Sequence, residues 1–157
     1  MKFFDDHYYE WRHVVGLQET NIVGNVYFSH YVSWQGRCRE MFLRQVCPEI
    51  LTEIEQGLKM FTLKVECEYL NELQAFDEIA IRLGLEELTQ SQIAFAFDYL
   101  RIGEAGEQLV AKGRQRVVCM RIEDGVPAPV RVPDALRLAF ERLAATPPGS
   151  ILTSTGP

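Results

Sequence analysis

The fold turns on the stretch NIVGNVYFSHYVSWQGRCREMFLRQV, residues 21–46. Within it Tyr27, Tyr31, Trp34, Cys38, Met41 and Gln45 recur at steps of 4, 3, 4, 3 and 4, the spacing of one face of an α-helix. Phe28, Val32, Phe42 and Val46 widen that stripe. The period predicts a long helix over 26–46, stopped before Pro48, whose ring and missing N–H do not continue a helix. Asn25 is the expected N-cap, because a short side-chain acceptor can meet the first free amides. A helix with so wide an apolar girth is expected to be wrapped by other structure.

On both sides the period falls to two, the mark of strands with one greasy face. Tyr9, Trp11, His13 and Val15 alternate with polar neighbours over 7–16, and a loop, QETNIVGN, leads from there to the helix. A short helical connection is expected over 49–57. Phe61, Leu63, Val65, Cys67 and Tyr69 then alternate with Thr62, Lys64, Glu66 and Glu68. Further strands are expected over 77–88, 91–103 and 106–123, with Gly113 as a bulge in the last. Their short connections make an antiparallel meander. A final helix is expected from Pro133 to about residue 144, with Leu136, Phe140 and Leu143 on one side. One sheet covered by one buried helix is a two-layer α+β sandwich. A long unpaired edge in such a sheet invites pairing with a second copy.

The chain has 157 residues, about one domain. We expect a single domain over 1–146 and a flexible tail over 147–157, opened by Pro147, Pro148 and Gly149. The net charge of −6 argues against a nucleic-acid partner, which calls for a basic footprint. No apolar run reaches the roughly 20 residues that span a bilayer, and the aromatic, acidic N-terminus does not read as a signal peptide. No membrane association and a cytoplasmic location are the expectations. Cys38, Cys47, Cys67 and Cys119 include no CxxC pair, and His7, His13 and His30 lack metal-ligand spacing, so no metal or other cofactor is expected. Nucleophile-elbow, phosphate-loop, dinucleotide and zinc-protease motifs are all absent.

The informative stretch chemically is residues 19–31, ETNIVGNVYFSHY. A glycine-containing loop feeds the start of a long helix, where free N–H groups gather and the dipole favours negative charge. Such a place can hold a developing oxyanion; equally, Gly24 and Asn25 can do no more than begin a helix. Tyr31, Gln35 and Arg39 stand at i, i+4 and i+8, in line beside the apolar stripe. Either Arg39 borders the sheet and takes an anion, a carbonyl or a ligand, or it reaches solvent or pairs with Glu40 or Glu66.

Residues 9–39, YEWRHVVGLQETNIVGNVYFSHYVSWQGRCR, resemble the opening of hotdog-fold thioesterases of the 4-hydroxybenzoyl-CoA thioesterase type. That family opens with a strand, a D-x-D-x-x-G loop and a helix bearing Y-x(7)-R. Here residues 19–24 occupy the loop, and Tyr31 and Arg39 keep the spacing. The resemblance covers about residues 7–123. It implies a hotdog fold, a curled antiparallel sheet wrapped around one long helix. It departs at Asn21, which stands where the family usually carries its catalytic carboxylate. It departs again at Gly36, where some members carry an acid on the helix. An amide is neither a general base nor a nucleophile. Residues 21–43 instead resemble the hotdog thioesterases that accompany enediyne polyketide synthases and carry asparagine at this point.

That resemblance implies hydrolysis of a β-keto polyene thioester on the acyl carrier protein domain of an iterative polyketide synthase, after which the freed β-keto acid can lose carbon dioxide. It implies no cofactor and a homodimer or homotetramer, with the site at the interface between chains. The roles it implies place the oxyanion on the backbone N–H near Phe28. Asn21 positions the thioester or water, and Arg39 and Tyr31 take the β-keto oxygen or the developing charge. Thr62, Tyr27, Trp34 and Glu66 are the expected substrate contacts. Water is expected to attack without a strong protein base, at a modest rate; Glu19 and Glu66 are either bases or solvated surface acids. Phe61, Phe95, Phe97 and Tyr99 either line an acyl channel or fill the core. The run Lys112, Arg114, Arg116 and Arg121 either docks an acidic carrier protein or is solvated strand charge. A generic acyl-CoA thioesterase and a non-catalytic acyl-binding hotdog protein are the competing readings.

Overall fold

The structure, a computed structural model, describes residues 7–145 and 153–155. The elements are β1 (Tyr9–Val14), a 3₁₀ turn (Leu17–Glu19), α1 (Phe28–Val46), α2 (Glu49–Glu55), β2 (Lys59–Tyr69), β3 (Glu78–Leu88), β4 (Gln92–Gly103), β5 (Gly106–Glu123), β6 (Val126–Pro129), α3 (Asp134–Ala145) and β7 (Thr153–Thr155); all but the 3₁₀ turn, β6 and β7 match the order read from the periodicity. The expected boundary after residue 146 and most of the expected tail lie outside the described residues. Within the tail, Thr153–Thr155 runs parallel to β1.

The sheet order is β2-β5-β4-β3-β1-β7, with β6 paired to β5. β1 to β5 are mutually antiparallel wherever they pair. Directly opposed residues share a face of the sheet. Trp11, Ile81, Tyr99 and Ala111 form one such row, and all are buried. This face curls around α1, whose Tyr31, Trp34, Cys38, Met41 and Phe42 are buried against it. α3 closes the same side through Phe140, which packs on Phe42 and Phe95. This is the hotdog architecture, and burial of a wide helical stripe inside a sheet is what holds it together.

Four local expectations are corrected. The N-cap of α1 is Tyr27, with no side-chain bond to the helix. Asn25 is held earlier, bridged to Gln74. Tyr27, Phe28 and Val32 belong to the predicted stripe yet are exposed. Gly113 is no bulge, since it pairs with both Cys67 and Phe97. The register slips instead at Val110, between the pairs Tyr99–Ala111 and Leu100–Leu109.

The fourth correction concerns β2. Its register on β5 slips between Thr62 and Lys64. Thr62 and Val65 both oppose helix-facing residues, Val117 and Gln115, while Phe61 opposes Val118 on the outer face. The five apolar residues therefore do not share one face, as unbroken alternation would require. β2 is an edge, and Phe61, Leu63, Val65 and Tyr69 remain between 38% and 53% exposed. β6 was not expected, although Asp124 and Gly125, at φ 51 and 79, form the kind of two-residue Asp-Gly turn that joins hairpin strands.

Candidate active site

The loop before α1 is a tight turn built by its own backbone. The Asn21 amide donates to the Asn25 carbonyl at 2.8 Å, and the Gly24 amide donates to the Asn21 carbonyl at 3.0 Å. Gly24 takes φ +93 there, a conformation that side chains resist. The Asn21 carboxamide oxygen accepts the Val23 amide at 3.0 Å. Asn21 thus braces the turn in this conformation.

A three-donor cluster ties this loop to the helix. The Glu19 carboxylate accepts the Gly16 amide at 2.9 Å and the Trp34 indole N–H at 2.7 Å, and His13 Nε2 lies 2.7 Å from it. Burial pushes the Glu19 pKa up, but these hydrogen bonds outweigh burial and leave it lowered. A carboxylate engaged by three donors has its proton-accepting capacity already in use. The structure therefore places Glu19 and Trp34 as the fastening of the helix start.

Beyond that fastening, the amides of Phe28 and Ser29 meet no acceptor among the described residues, as the first turn of a helix requires. Phe28 lines a cleft of about 200 Å³ together with Val26, Tyr31, Tyr69, Leu70, Asn71 and Glu72. The Tyr69 hydroxyl donates to the Phe28 carbonyl at 2.9 Å, so the end of β2 clamps the first helical turn. Tyr31 is buried, its ring centroid 4.9 Å from that of Tyr69. Burial pushes the Tyr31 and Tyr69 hydroxyls up to about 12, so both are neutral donors at pH 7. Tyr27 packs against Phe28 at the outer rim.

Arg39 is not in this cleft. It lies eleven residues further along α1, about 16 Å at the helical rise. There it lines a second cleft of about 330 Å³ with Glu40, Leu43, Leu51, Ile54, Leu58, Lys59 and Met60. Its Nη1 donates to buried Gln115 at 2.9 Å. Burial pulls its pKa below the ordinary arginine value, and Glu40 only partly opposes this.

Within one chain, then, Phe28 and Tyr31 line a cleft at the Tyr69 end of β2, Arg39 lines another at the Lys59 end, and Asn21 lines neither. Thr62 is exposed on the helix-facing side of that strand. Glu66 is turned to the outer face, opposite Arg114, with its carboxylate 2.7 Å from Lys64. Phe95, Phe97 and Tyr99 are wholly buried core. The basic run is interlaced with acids: Arg114 pairs with Glu86, Arg116 with Glu87, and Arg121 reaches the Gln56 carbonyl. Among the described residues no cluster of His, Cys, Asp or Glu could hold a metal ion, and no helix is long and apolar enough to cross a membrane.

Sequence reasoning missed Tyr69, Glu72 and Gln115 as neighbours of the site. Nothing in local spacing marks them, because β2, the β2–β3 loop and β5 reach α1 only through the curl of the sheet.

The chain is similar to known proteins over most of its length. The thioesterase-like superfamily matches residues 15–140. The dynemicin thioesterase, known from crystal structures concerned with polyene binding, is 43% identical, with a TM-score of 0.83 over 87% of this chain and 96% of that one. A 4-hydroxybenzoyl-CoA thioesterase from Pseudomonas sp. is 17% identical, with a TM-score of 0.71 over 84% of this chain and 99% of that one. A 1,4-dihydroxy-2-naphthoyl-CoA thioesterase from Synechocystis is 16% identical, with a TM-score of 0.73 over 87% and 98%. The last two show the fold alone. Among curated proteins, none matches the chain.

Proposed function

Because the chain belongs to the thioesterase-like superfamily, we propose that it hydrolyses a β-keto polyene thioester carried on the acyl carrier protein of an enediyne polyketide synthase. The observation that carries this reading is a helix start whose Phe28 and Ser29 amides meet no acceptor among the described residues, with Phe28 lining one cleft together with Tyr31 and Tyr69. Attack on a thioester carbonyl gathers negative charge on its oxygen. Donors fixed in advance at that point stabilise the charge without reorganising, and one such donor contributes roughly 3–4 kcal/mol in other hydrolases. The likeness to the dynemicin thioesterase supports the polyene chain and the polyketide setting. The freed β-keto acid can then lose carbon dioxide.

The same reading takes the working unit to be a dimer. β2 is an apolar edge with open backbone groups. Antiparallel pairing of two such edges would lay the Tyr69 end of one β2 beside the Lys59 end of the other. The cleft of Phe28 and Tyr31 would then adjoin the cleft of Arg39 from the partner subunit. A guanidinium reaching from there would hold a β-keto oxygen or share the developing charge. Such an arrangement would give Arg39 an anionic partner, since its hydrogen-bond partner among the described residues is a neutral amide.

The test compares thiol release from the same 3-oxoacyl chain on a phosphopantetheinyl carrier protein and on coenzyme A. Preference for the carrier by tenfold or more in kcat/KM supports the proposal. Equal rates favour a generic acyl-CoA thioesterase. Tight acyl binding without release of thiol favours a non-catalytic acyl-binding protein, the reading suggested by an Asn21 carboxamide already engaged in its own turn.

A further inference from the structure

Hydrolysis at the cleft described above still needs a group to take the proton of the attacking water. The usual carboxylate position is an amide, Asn21. Glu19 is saturated by three donors. Glu66 lies across the sheet from the cleft, beside Lys64. Tyr31 and Tyr69 keep their protons at neutral pH. One further acid lines this cleft.

Resting on the thioesterase reading, we propose that Glu72, on the loop between β2 and β3, is the general base that activates water against a thioester held on the amides of Phe28 and Ser29. The placement is built, because the loop around Glu72 is fastened on three sides. The amides of Leu70 and Asn71 donate to the Val110 carbonyl at 2.9 and 3.1 Å, and Asn71 Nδ2 donates to the Leu109 carbonyl at 3.1 Å. The Leu73 carbonyl accepts the Val26 amide at 2.8 Å, tying the loop to the residues that lead into α1. The carbonyl of Glu72 itself accepts Arg101 Nη1 at 3.2 Å. That guanidinium is directed at the backbone and at Asp77, 3.2 Å away. The Glu72 carboxylate makes no ion pair among the described residues, and Glu72, an exposed residue, lines the cleft with Phe28 and Tyr31. The backbone that carries Glu72 is held at the cleft, and its carboxylate keeps an open lone pair, as a base needs.

The chemistry balances without any other reactant. Water gives a proton to the Glu72 carboxylate as its oxygen bonds to the thioester carbon. The carbonyl π pair moves to oxygen, where the Phe28 and Ser29 amides hold it. The pair returns, the carbon–sulfur bond breaks, and the departing thiolate takes the proton from Glu72. A carboxylic acid and a free thiol leave, and the carboxylate is restored.

The test uses the full-length chain as wild type, Glu72→Gln and Glu72→Asp, with a 3-oxoacyl thioester on a phosphopantetheinyl carrier protein. The expected result is a fall in kcat of at least tenfold for Glu72→Gln with KM changed less than about twofold, and partial recovery in Glu72→Asp. Cleavage of the same thioester by hydroxylamine, a nucleophile that needs no base, should stay near the wild-type rate in Glu72→Gln. Hydrolysis by Glu72→Gln within twofold of wild type overturns the assignment and leaves the thioesterase reading intact. Equal loss of hydrolysis and hydroxylamine cleavage also overturns it, because the residue would then only shape the cleft. A wild-type chain that cleaves no thioester overturns both.

Discussion

Gln35 and Gly113 occupy complementary space in the core: a Cβ at position 113 would stand 2.1 Å from Gln35 Nε2. The side chain of Gln35 is wholly buried, and its Nε2 donates to the Glu66 carbonyl at 3.0 Å. A polar helix residue can lie flat on the sheet here only because β5 presents bare backbone. Gly113→Ala is therefore expected to destabilise the fold by about 1–3 kcal/mol, the usual cost of overpacking, which corresponds to a Tm lower by roughly 2–4 °C per kcal/mol. Thermal unfolding of the variant checks this, and an unchanged midpoint would mean that Gln35 moves aside at no cost.

Glu19 makes stability depend on acid. Its folded pKa is lowered, so its contribution is complete above the unfolded carboxylate value of about 4.3 and is lost as pH falls through the lower folded value. Glu19→Gln is expected to be less stable than wild type at pH 7, and the gap should narrow below about pH 4. Urea midpoints of both proteins between neutral and acid pH measure the difference. A gap that does not vary with pH would show that the hydrogen bonds of Glu19 do not favour its charged form.

Arg39→Ala and Asn21→Ala are each expected to lower thioester hydrolysis at least about tenfold, or ~1.4 kcal/mol of barrier. They should do so for different reasons. Arg39→Ala removes a guanidinium from its cleft and leaves Lys59 there. Asn21→Ala loosens the turn that sets the first amides of α1, so its loss should come with a small fall in thermal stability. Rates unchanged in either variant would take that residue out of the reaction.

The β2 edge predicts a link between assembly and activity. Leu63→Lys with Val65→Lys places charge on the exposed apolar edge and opposes pairing of two copies. The double variant is expected to sediment as a monomer and to lose hydrolysis, because Arg39 and the Phe28 cleft would no longer meet. A fully active monomer would show that one chain completes the site alone.

The order of elements and nearly all their boundaries could be read from the spacing of apolar residues. Burial on one side of an element imposes that spacing directly, at 3.6 residues for α1 and two for β3 to β5. The free amides at the helix start were legible for a similar reason, since a glycine-containing loop before a long helix announces them. The slip at Leu63 was not legible: a bulge changes which face a residue serves without changing the alternation around it. The partners of Glu19 were hidden as well, because His13 and Trp34 reach it from different elements.

By itself, the sequence determined a hotdog-like layer order, the burial of α1, the turn at Asn21 to Gly24, and the lack of an acid at the usual position. The layer order, the burial and the turn follow from local preference and period, which act over a few residues; the missing acid is seen through the family resemblance. Only the tertiary structure decided that Arg39 stands away from Phe28 within one chain, that Glu19 is occupied and that Glu66 faces outward. It alone brought Glu72 to the mouth of the helix, 44 positions after Phe28 by their numbering. Side chains so far apart in the chain meet through the curl and register of a sheet, and those are set by packing across the whole domain.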